Sequence, residues 1–315
     1  MKNHVWLIGA GGMAVDYAKV LSALGVNYSV IGRGESSAAA FREATGIEVI
    51  VGGLKGYLST KPALPSHAIV AVGVETLHET TLQLLEYGVK SLLVEKPIGM
   101  NKQEIEAVYK KSKEFNALVL AAYNRRFYAG VIKAKEIIAA DGGVTSFNFE
   151  FTEWAHVIAP LKKAEGIKEK LFLNNSTHVV DLAFHLGGRP KEMCTFTAGG
   201  LSWHPASSIF SGAGVSENGA LFSYQANWES AGRWSVEMLT KNHRLIFRPM
   251  EKLQIQKKGS VAVEFAECDY ALDETYKPGL YLQTKNFLNN TTAGMCDIEY
   301  HTQMTEKYYQ IAAYE

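Results

Sequence analysis

Over the first 125 residues, short apolar runs alternate with stretches in which apolar residues recur every three or four positions. Compact apolar runs bounded by Gly, Pro or charged residues are typical of buried parallel strands, and the intervening spacing predicts amphipathic helices. The predicted strands are Val5–Ile8, Tyr28–Ile31, Ala68–Val72, Leu92–Val94 and Leu118–Ala121, and the predicted helices are Met13–Leu24, Ser36–Ala44, Glu75–Tyr87 and Lys102–Lys113. This order predicts an α/β domain with a doubly wound parallel sheet.

After about residue 125 the pattern changes to strands in which apolar and polar residues alternate, as in a half-exposed antiparallel sheet. The predicted strands are Val144–Phe151, Met193–Ala198, Ala220–Trp228, Arg233–Thr240 and Arg244–Arg248, and the predicted helices are Ala129–Ala140, Leu280–Asn289 and Ile298–Ala313. No flexible tether separates the two patterns. We therefore expect two domains, 1–125 and 126–315, the second of the α+β class with an open antiparallel sheet.

Composition narrows the classes of function. The 315 residues include 32 Lys plus Arg and 32 Asp plus Glu, so the net charge lacks the basic excess that nucleic-acid binding needs. There is no run of about 18 apolar residues for a membrane span and no pattern of a signal peptide. The three cysteines lack CxxC spacing, which predicts neither a zinc site nor disulfides. We expect a cytoplasmic protein with a small-molecule partner, no nucleic acid and no membrane.

A glycine-rich segment follows the first strand and opens the first helix, in the GxGxxA form of a dinucleotide-binding turn. Gly9 permits the tight turn, Gly11 lets a pyrophosphate approach the backbone, and Ala14 lets the helix pack closely on the strand. The helix N-terminus offers free N–H groups at Gly12 and Met13. This context predicts a Rossmann domain, although a glycine-rich turn without a ligand is the alternative.

The end of the second strand bears on which dinucleotide is bound. An NAD enzyme usually presents Asp or Glu here to the ribose 2′-hydroxyl, whereas this chain has Gly32 and Arg33. Arg33 can pair with a 2′-phosphate and Ser37 can add a hydroxyl donor, although Ser36 and Ser37 can equally cap the next helix. NADP is therefore predicted ahead of NAD, with Glu35 as the feature that favours NAD.

Lys96 follows the strand that ends at Val94 and precedes Pro97. It should emerge at the carboxyl edge of the sheet, where open α/β folds bind ligands. A lysine beside a nicotinamide ring can polarise a substrate oxygen and transfer its proton. A solvated lysine in a turn is the alternative.

A helix that begins near Asn174 has polar residues at spacings of four, three and four. Asn174, His178, Asp181 and His185 share one face by this count, and apolar residues occupy the opposite face. Such a polar stripe should line a cavity, because an unpaired buried polar group costs about 1–3 kcal/mol. A satisfied core histidine is the alternative for His178 alone.

Taken in order, these motifs resemble the Gfo/Idh/MocA oxidoreductase family. They are the glycine turn, Glu95-Lys96-Pro97, Asn124-Arg125-Arg126-Phe127 and the segment from Asn174 to Asp181. The resemblance implies a Rossmann domain plus an open antiparallel sheet, sugar or cyclitol substrates, and homodimers or homotetramers formed through that sheet. It also implies that Lys96 and His178 are the catalytic pair, assisted by Asn174 and Asp181.

The chain departs from the family pattern at two places. Asn174 stands where the family usually has Asp, and it cannot accept a proton. Val74 and Glu75 stand where a Pro-Asn pair often precedes Leu-His, although His78 still matches. The resemblance implies cofactor contacts from Gly73, His78, Glu95 and Lys96.

Three further residues are candidates for substrate binding, beside Asn174 and His178. Arg125 and Arg126 can hold an anionic group of the substrate or of the cofactor, and surface salt bridges are the alternative. Trp154 lies near the polar residues Glu153 and His156, and its aromatic face suits a sugar ring.

The predicted function is hydride transfer between a nicotinamide cofactor and a hydroxyl or ketone of a sugar, nucleotide sugar or cyclitol. A non-catalytic dinucleotide or sugar sensor on the same fold is one alternative. A metal-dependent hydrolase with His178, Asp181 and His185 as ligands is another. We predict that the site contains no metal ion.

Overall fold

Two units make up the computed structural model, which describes residues 4–315. Unit 1 contains the chain up to Asn124 together with Leu272–Gln303, and unit 2 contains Arg125–Ala271 together with Met304–Glu315. Each unit is built around its own sheet.

The sheet of unit 1 has seven strands in the order β15-β6-β5-β4-β1-β2-β3. Its strands are β1 His4–Ile8, β2 Asn27–Ile31, β3 Val49–Ile50, β4 His67–Val70, β5 Ser91–Val94, β6 Leu118–Ala121 and β15 Cys296–Asp297. The first six are parallel, and β15 is antiparallel to β6. The order 3-2-1-4-5-6 is that of a Rossmann fold, with its ligand crevice where the order reverses beside β1.

Helices connect these strands and bury an apolar stripe against the sheet. They are α1 Gly12–Ala23, α2 Glu35–Thr45, α3 Gly53–Ser59, α4 Leu77–Tyr87 and α5 Lys102–Glu114, with α10 Leu280–Leu288 added later in the chain. Trp6, Val70 and Val94 lie in the resulting core and are fully buried. All five predicted strands and all four predicted helices of this region are present; α4 begins at Leu77 because Val74–Thr76 form a 3-10 turn.

The return of residues 272–303 to unit 1 differs from the contiguous domains that we predicted. β15 pairs with β6 through Cys296 and Asp297, and His301 hydrogen-bonds the carbonyl oxygen of Pro97 through Nε2 at 2.8 Å. These residues complete one edge of the sheet. The periodicity of a helix does not reveal which sheet it covers, so the sequence pattern could not show this return.

Unit 2 contains an eight-stranded, mostly antiparallel sheet in the order β14-β13-β12-β11-β7-β10-β9-β8. The strands are β7 Ser146–Glu150, β8 Pro190–Ala198, β9 Ile209–Ser216, β10 Leu221–Asn227, β11 Ser235–Leu239, β12 His243–Phe247, β13 Gln254–Lys257 and β14 Val263–Phe265. Only the pair of β7 and β10 is parallel. The predicted fold class, a Rossmann sheet followed by a domain with an antiparallel sheet, is confirmed.

The helices of unit 2 are α6 Ala129–Ala140, α7 Ala155–Ile158 and α8 Thr177–Gly187; α9 Ala271–Thr275 and α11 Ile298–Ala312 run across the limits of the two units. Helix α8 covers one face of the sheet, where Phe184 packs against Phe147 and Phe222 with ring centroids 5.9 and 5.1 Å apart. The opposite face carries exposed side chains, including Phe196 at 70% and Leu221 at 64% exposure. Among residues 4–315, no helix is both long and apolar enough to cross a membrane.

Candidate active site

The glycine turn lies between β1 and α1, at the carboxyl edge of the parallel sheet. Gly9 has φ of +120°, and a Cβ atom there would come within 2.3 Å of the Ala71 carbonyl oxygen. At Gly11 and Gly12 a Cβ would meet nothing within 4 Å. Only glycine therefore fits at the first position, and the other two leave open space in front of the N-terminus of α1, as a pyrophosphate requires.

The end of β2 shows why position 32 is glycine. A Cβ there would lie 2.7 Å from Cγ1 of Val49 and 3.2 Å from Cβ of Ala10, so packing excludes an acidic side chain. Arg33 is exposed, and Glu35 is exposed in the first turn of α2. Ser37 donates a hydrogen bond from Oγ to the Gly34 carbonyl oxygen at 3.0 Å, and no side chain caps the first N–H groups of α2.

The loop after β4 places two more predicted cofactor residues at the same edge. Gly73 is exposed, and its carbonyl oxygen accepts hydrogen bonds from the backbone N–H and the hydroxyl of Thr76. His78 is half-buried in the first turn of α4. Both are available to a ligand bound along this edge.

Lys96 lies directly after β5, where the Lys96–Pro97 peptide bond is cis. Its neighbour Glu95 accepts a hydrogen bond at 2.8 Å from the hydroxyl of Tyr17, a fully buried residue of α1. Burial raises the pKa of Glu95, while the charge of Lys96 and the Tyr17 hydrogen bond act to lower it. Burial likewise raises the pKa of Tyr17 well above its ordinary value. The turn that carries Lys96 is thus anchored to the helix of the glycine turn.

These features fit a dinucleotide within unit 1. Gly11 and Gly12 would hold the pyrophosphate, the segment after β2 would meet the ribose, and Lys96 would lie near the reacting ring. In a parallel sheet adjacent strands are about 4.8 Å apart, so β1 and β5, separated by β4, are about 10 Å apart. A bound nicotinamide cofactor would supply or accept the hydride.

In unit 2, His178 is half-buried in the first turn of α8. A π-helical turn, Phe172–Ser176, leads into this helix, a geometry that is frequent at functional sites. Asn174 is buried within that turn, and its Nδ2 donates to the Ile167 carbonyl oxygen at 2.8 Å. The ring centroids of His178 and Trp234 are 6.4 Å apart.

The remaining polar residues of α8 have different surroundings. Asp181 is 1% exposed and accepts hydrogen bonds from Nε and an Nη atom of Arg126, at 2.8 and 2.5 Å. Burial lowers the pKa of His185 well below its ordinary value, and Arg126 lowers it further. The Asp181 carboxylate and the Arg126 guanidinium therefore satisfy each other inside unit 2.

Arg125 is half-buried, whereas Trp154 is exposed. The Arg125 guanidinium lies 4.8 Å from the centre of the Trp234 ring. Trp154 is 46% exposed, stacks on Arg233 at 4.7 Å, and lines a cavity of about 500 Å³ with Trp203 and Trp228.

In the part of the chain that the structure describes, no group of three or more His, Cys, Asp or Glu side chains is arranged to hold a metal ion. The proposed ligand set of His178, Asp181 and His185 also conflicts with the pairing of Asp181 and Arg126. The geometry thus disfavours the hydrolase alternative.

A comparison with known protein families gives a match within unit 1. Residues 3–123 match the Gfo/Idh/MocA family model, described as an oxidoreductase family with an NAD-binding Rossmann fold. The predictions of the family resemblance, of an oxidoreductase and of a nicotinamide-dinucleotide fold are confirmed. No curated protein matches the chain in sequence.

Several solved structures share the fold over nearly the whole chain. A levoglucosan dehydrogenase in complex with NADH and L-sorbose is 18% identical, with 99% of this chain and 96% of that chain covered and a TM-score of 0.80. UDP-N-acetylglucosamine 3-dehydrogenase GnnA from Acidithiobacillus ferrooxidans is 14% identical, with coverage of 98% and 96% and a TM-score of 0.75.

A third structure is the WlbA dehydrogenase from Chromobacterium violaceum in complex with NADH and UDP-GlcNAcA. It is 16% identical, with 99% of this chain and 93% of that chain covered and a TM-score of 0.74. At these identities the likeness shows that the fold is shared.

Sequence reasoning missed three residues that the structure places beside the predicted ones. Tyr17 appears in the sequence only as an apolar position of α1. Arg233 and Glu153 are 80 residues apart in the chain, and only the fold brings them within 3.6 Å. The one available signal was the adjacency of each to a tryptophan, Trp234 and Trp154.

Proposed function

We propose that the protein transfers a hydride between a nicotinamide cofactor and a hydroxyl or ketone carbon of a sugar, nucleotide sugar or cyclitol. The observation that carries this proposal is the placement of Lys96 and the open glycine turn at one carboxyl edge of the unit 1 sheet. Two of the dehydrogenases named above have NADH in their complexes, one together with L-sorbose and the other with UDP-GlcNAcA.

Lys96 is proposed to donate a proton to, or accept one from, the substrate oxygen. A positioned acid or base typically contributes about 10²- to 10⁴-fold to the rate. The hydrogen bond between Tyr17 and Glu95 holds the turn and so positions this amine. Glu95 itself is proposed to be a positioning residue, because its carboxylate is directed to Tyr17.

His178 is proposed as a second proton-transfer group of the same reaction, with Asn174 in a positioning role. The half-buried imidazole at the start of α8 suits this role, since histidine titrates near neutral pH. Asp181 and Arg126 are proposed to be structural, because each is buried and paired with the other. This narrows the predicted site: Asp181 supports α8 and does not touch the substrate.

NADP is proposed as the preferred cofactor. Arg33 is exposed at the end of β2 and no side chain fits at position 32, so a 2′-phosphate would meet a cation. Glu35 lies two residues after Arg33. The closer its carboxylate comes to the ribose, the more it reduces the preference for NADP over NAD. Ser37 can reorient its hydroxyl from the Gly34 carbonyl toward the same phosphate.

The protein is proposed to be a homodimer or homotetramer formed through the uncovered face of the unit 2 sheet. Phe196, Ile209 and Leu221 are exposed on this face, and exposed apolar patches of this kind mark interaction sites. Light scattering at micromolar concentration tests this: a monomer would contradict it.

The function is tested by titrating the protein with NADPH and NADH and following cofactor fluorescence. A panel of aldoses, uronic acids, cyclitols and nucleotide sugars is then assayed at 340 nm in both directions. Cofactor binding with turnover of at least one class supports the proposal. Tight cofactor and sugar binding without any turnover would support the sensor alternative.

A further inference from the structure

Two arginines and two tryptophans of unit 2 form an alternating stack. The Arg233 guanidinium lies 4.7 Å from the Trp154 ring centre and 4.8 Å from that of Trp234. On the Trp234 ring lies a second guanidinium, that of Arg125, at 4.8 Å. The stack also borders His178, whose ring centroid is 6.4 Å from that of Trp234.

Arg125 differs from the neighbouring arginines in its partners. Its side chain makes no hydrogen bond or ion pair with the described residues of unit 2, and its Nε atom is buried. The side chain as a whole is half-buried. Burial lowers the pKa of Arg125, whereas Tyr128, Glu251 and Glu153 raise it. A guanidinium that is partly withdrawn from water without a counter-ion is destabilised, so this position favours an anion.

Of the acidic groups near Arg125, Asp181 and Glu153 are already engaged by other arginines. Asp181 neutralises Arg126, with both side chains buried. Glu153 is 3.6 Å from Arg233, and its Oε1 also accepts hydrogen bonds from Ser176 at 2.7 Å and Asn175 at 3.0 Å. Burial raises the pKa of Glu153. Glu251 is exposed and makes no ion pair with Arg125 within the unit. Among the described residues of unit 2, Arg125 is therefore the arginine of this cluster that makes no ion pair with a carboxylate.

We propose that Arg125 binds the carboxylate of the substrate, so that the substrate is an acidic sugar such as a uronic or aldonic acid. This proposal rests on the proposed function and names its substrate class. The planar guanidinium can hold a carboxylate through two parallel hydrogen bonds. A single unmatched cation balances one negative charge, which a carboxylate carries; a diphosphate would need more. The indole of Trp234 fixes the guanidinium from one side by a cation–π contact.

Binding is measured by intrinsic tryptophan fluorescence, since Trp234 contacts Arg125 directly. The probes are D-glucuronate, D-glucose and D-glucose 1-phosphate, each with the holoprotein in saturating NADP⁺. Wild type is compared with Arg125→Gln and Arg125→Lys, and with Arg189→Gln as a control at an exposed arginine paired with Glu217. Circular dichroism checks that each variant folds.

We expect wild type to bind glucuronate about 10- to 100-fold more tightly than glucose, as a charge-assisted bidentate pair provides. Arg125→Gln should remove this difference, Arg125→Lys should keep part of it, and Arg189→Gln should keep all of it. The same ratios should appear in kcat/KM at 340 nm.

Three results would overturn the proposal. They are equal binding of glucuronate and glucose by wild type, a preference for glucose 1-phosphate over glucuronate, and an Arg125→Gln variant that weakens NADPH while leaving the preference for glucuronate intact. If Arg125→Gln does not fold, the proposal is still tested by the relative affinities of wild type for glucuronate, glucose and glucose 1-phosphate, and by the same affinities of Arg125→Lys. Glucuronate binding that depends on Arg125 without turnover of any sugar would refute hydride transfer and leave the carboxylate site standing.

Discussion

The hydroxyl of Tyr17, in the middle of α1, donates a hydrogen bond to Oε1 of Glu95 over 2.8 Å. This hydrogen bond connects α1, the helix after the glycine turn, to the turn after β5 that contains Lys96. Because burial raises the pKa of Glu95, the folded protein holds the proton more tightly than the unfolded chain does. The contribution of Glu95 to stability is therefore fully present at low pH and is lost as the pH rises through its folded pKa.

Glu95→Gln should remove this loss of stability at high pH, because glutamine stays neutral and its side-chain oxygen can still accept the hydrogen bond from the Tyr17 hydroxyl. The free energy of unfolding of Glu95→Gln relative to wild type should increase as the pH rises from about 5 to about 8. Tyr17→Phe should lower stability by about 1–3 kcal/mol, since it leaves the buried carboxyl of Glu95 without its hydrogen-bond donor. Urea unfolding across the pH range measures both.

Tyr28→Phe is the matched control, because the Tyr28 hydroxyl bonds Ser22 and the Ala18 carbonyl and no carboxylate. If Glu95→Gln gives a difference that does not change with pH, the buried carboxyl is not the titrating group.

Sequence periodicity predicted five strands in each sheet, because burial on one or both faces leaves a direct trace in the residue pattern, but it did not predict β9, β13 or β14 of unit 2. β1 and β5 are examples, with every apolar position buried. The two-residue strands Val49–Ile50 and Cys296–Asp297 are too short to have a period. The pairing of Cys296 with Ala121 joins positions 175 residues apart, so nothing local encoded it, and with it the return of residues 272–303 to unit 1 went unpredicted.

The candidate site likewise contains some residues whose position could be predicted from the sequence and others whose position could not. Motif positions such as Gly9 and Lys96 could be placed, because their function depends on an edge of the sheet that the strand order defines. Arg125 and Arg126 are adjacent in sequence and could not be told apart. The fold separates them: Arg126 is directed to Asp181 and Arg125 to Trp234. Which of two neighbouring side chains has a partner depends on residues more than 50 positions away.

Arg33→Asp should reverse the cofactor preference. Wild type is expected to bind NADPH more tightly than NADH, because Arg33 can pair with the 2′-phosphate. An aspartate at this exposed position would repel the phosphate and accept the ribose hydroxyl. The ratio of the two dissociation constants, measured by cofactor fluorescence, should change by about 10-fold or more, since a charge-assisted hydrogen bond contributes about 1.5–3 kcal/mol. Arg42→Asp, beyond the first turn of α2, is the control. A wild type that prefers NADH by tenfold would contradict the assignment.

Lys96→Ala and His178→Ala should each lower kcat by about 10²- to 10⁴-fold while cofactor affinity changes little. If both groups serve the same proton transfer, the double variant should be hardly slower than the poorer single variant, because such effects are not additive. Stopped-flow single turnovers separate the chemical step from cofactor release. Lys110→Ala, at a lysine of α5 paired with Glu106, should leave kcat unchanged. Near wild-type turnover by both single variants would favour the sensor alternative.

Asn174→Asp tests why this chain departs from the family pattern at that position. The Asn174 amide is buried and its Nδ2 donates to the Ile167 carbonyl oxygen at 2.8 Å. An aspartate would place a carboxylate oxygen against that carbonyl, so the variant should lose about 1–3 kcal/mol of stability. The π-helical turn before His178 would then lose one of its anchors, and kcat should fall.

Asn27→Asp is the control, because Asn27 is exposed at the start of β2. It shows how an amide-to-carboxylate change at an exposed position affects stability and kcat. Urea unfolding and the 340 nm assay measure both variants side by side. A gain in kcat of tenfold or more for Asn174→Asp would show that a carboxylate can assist His178 here, and that asparagine is present because the natural reaction does not require that assistance.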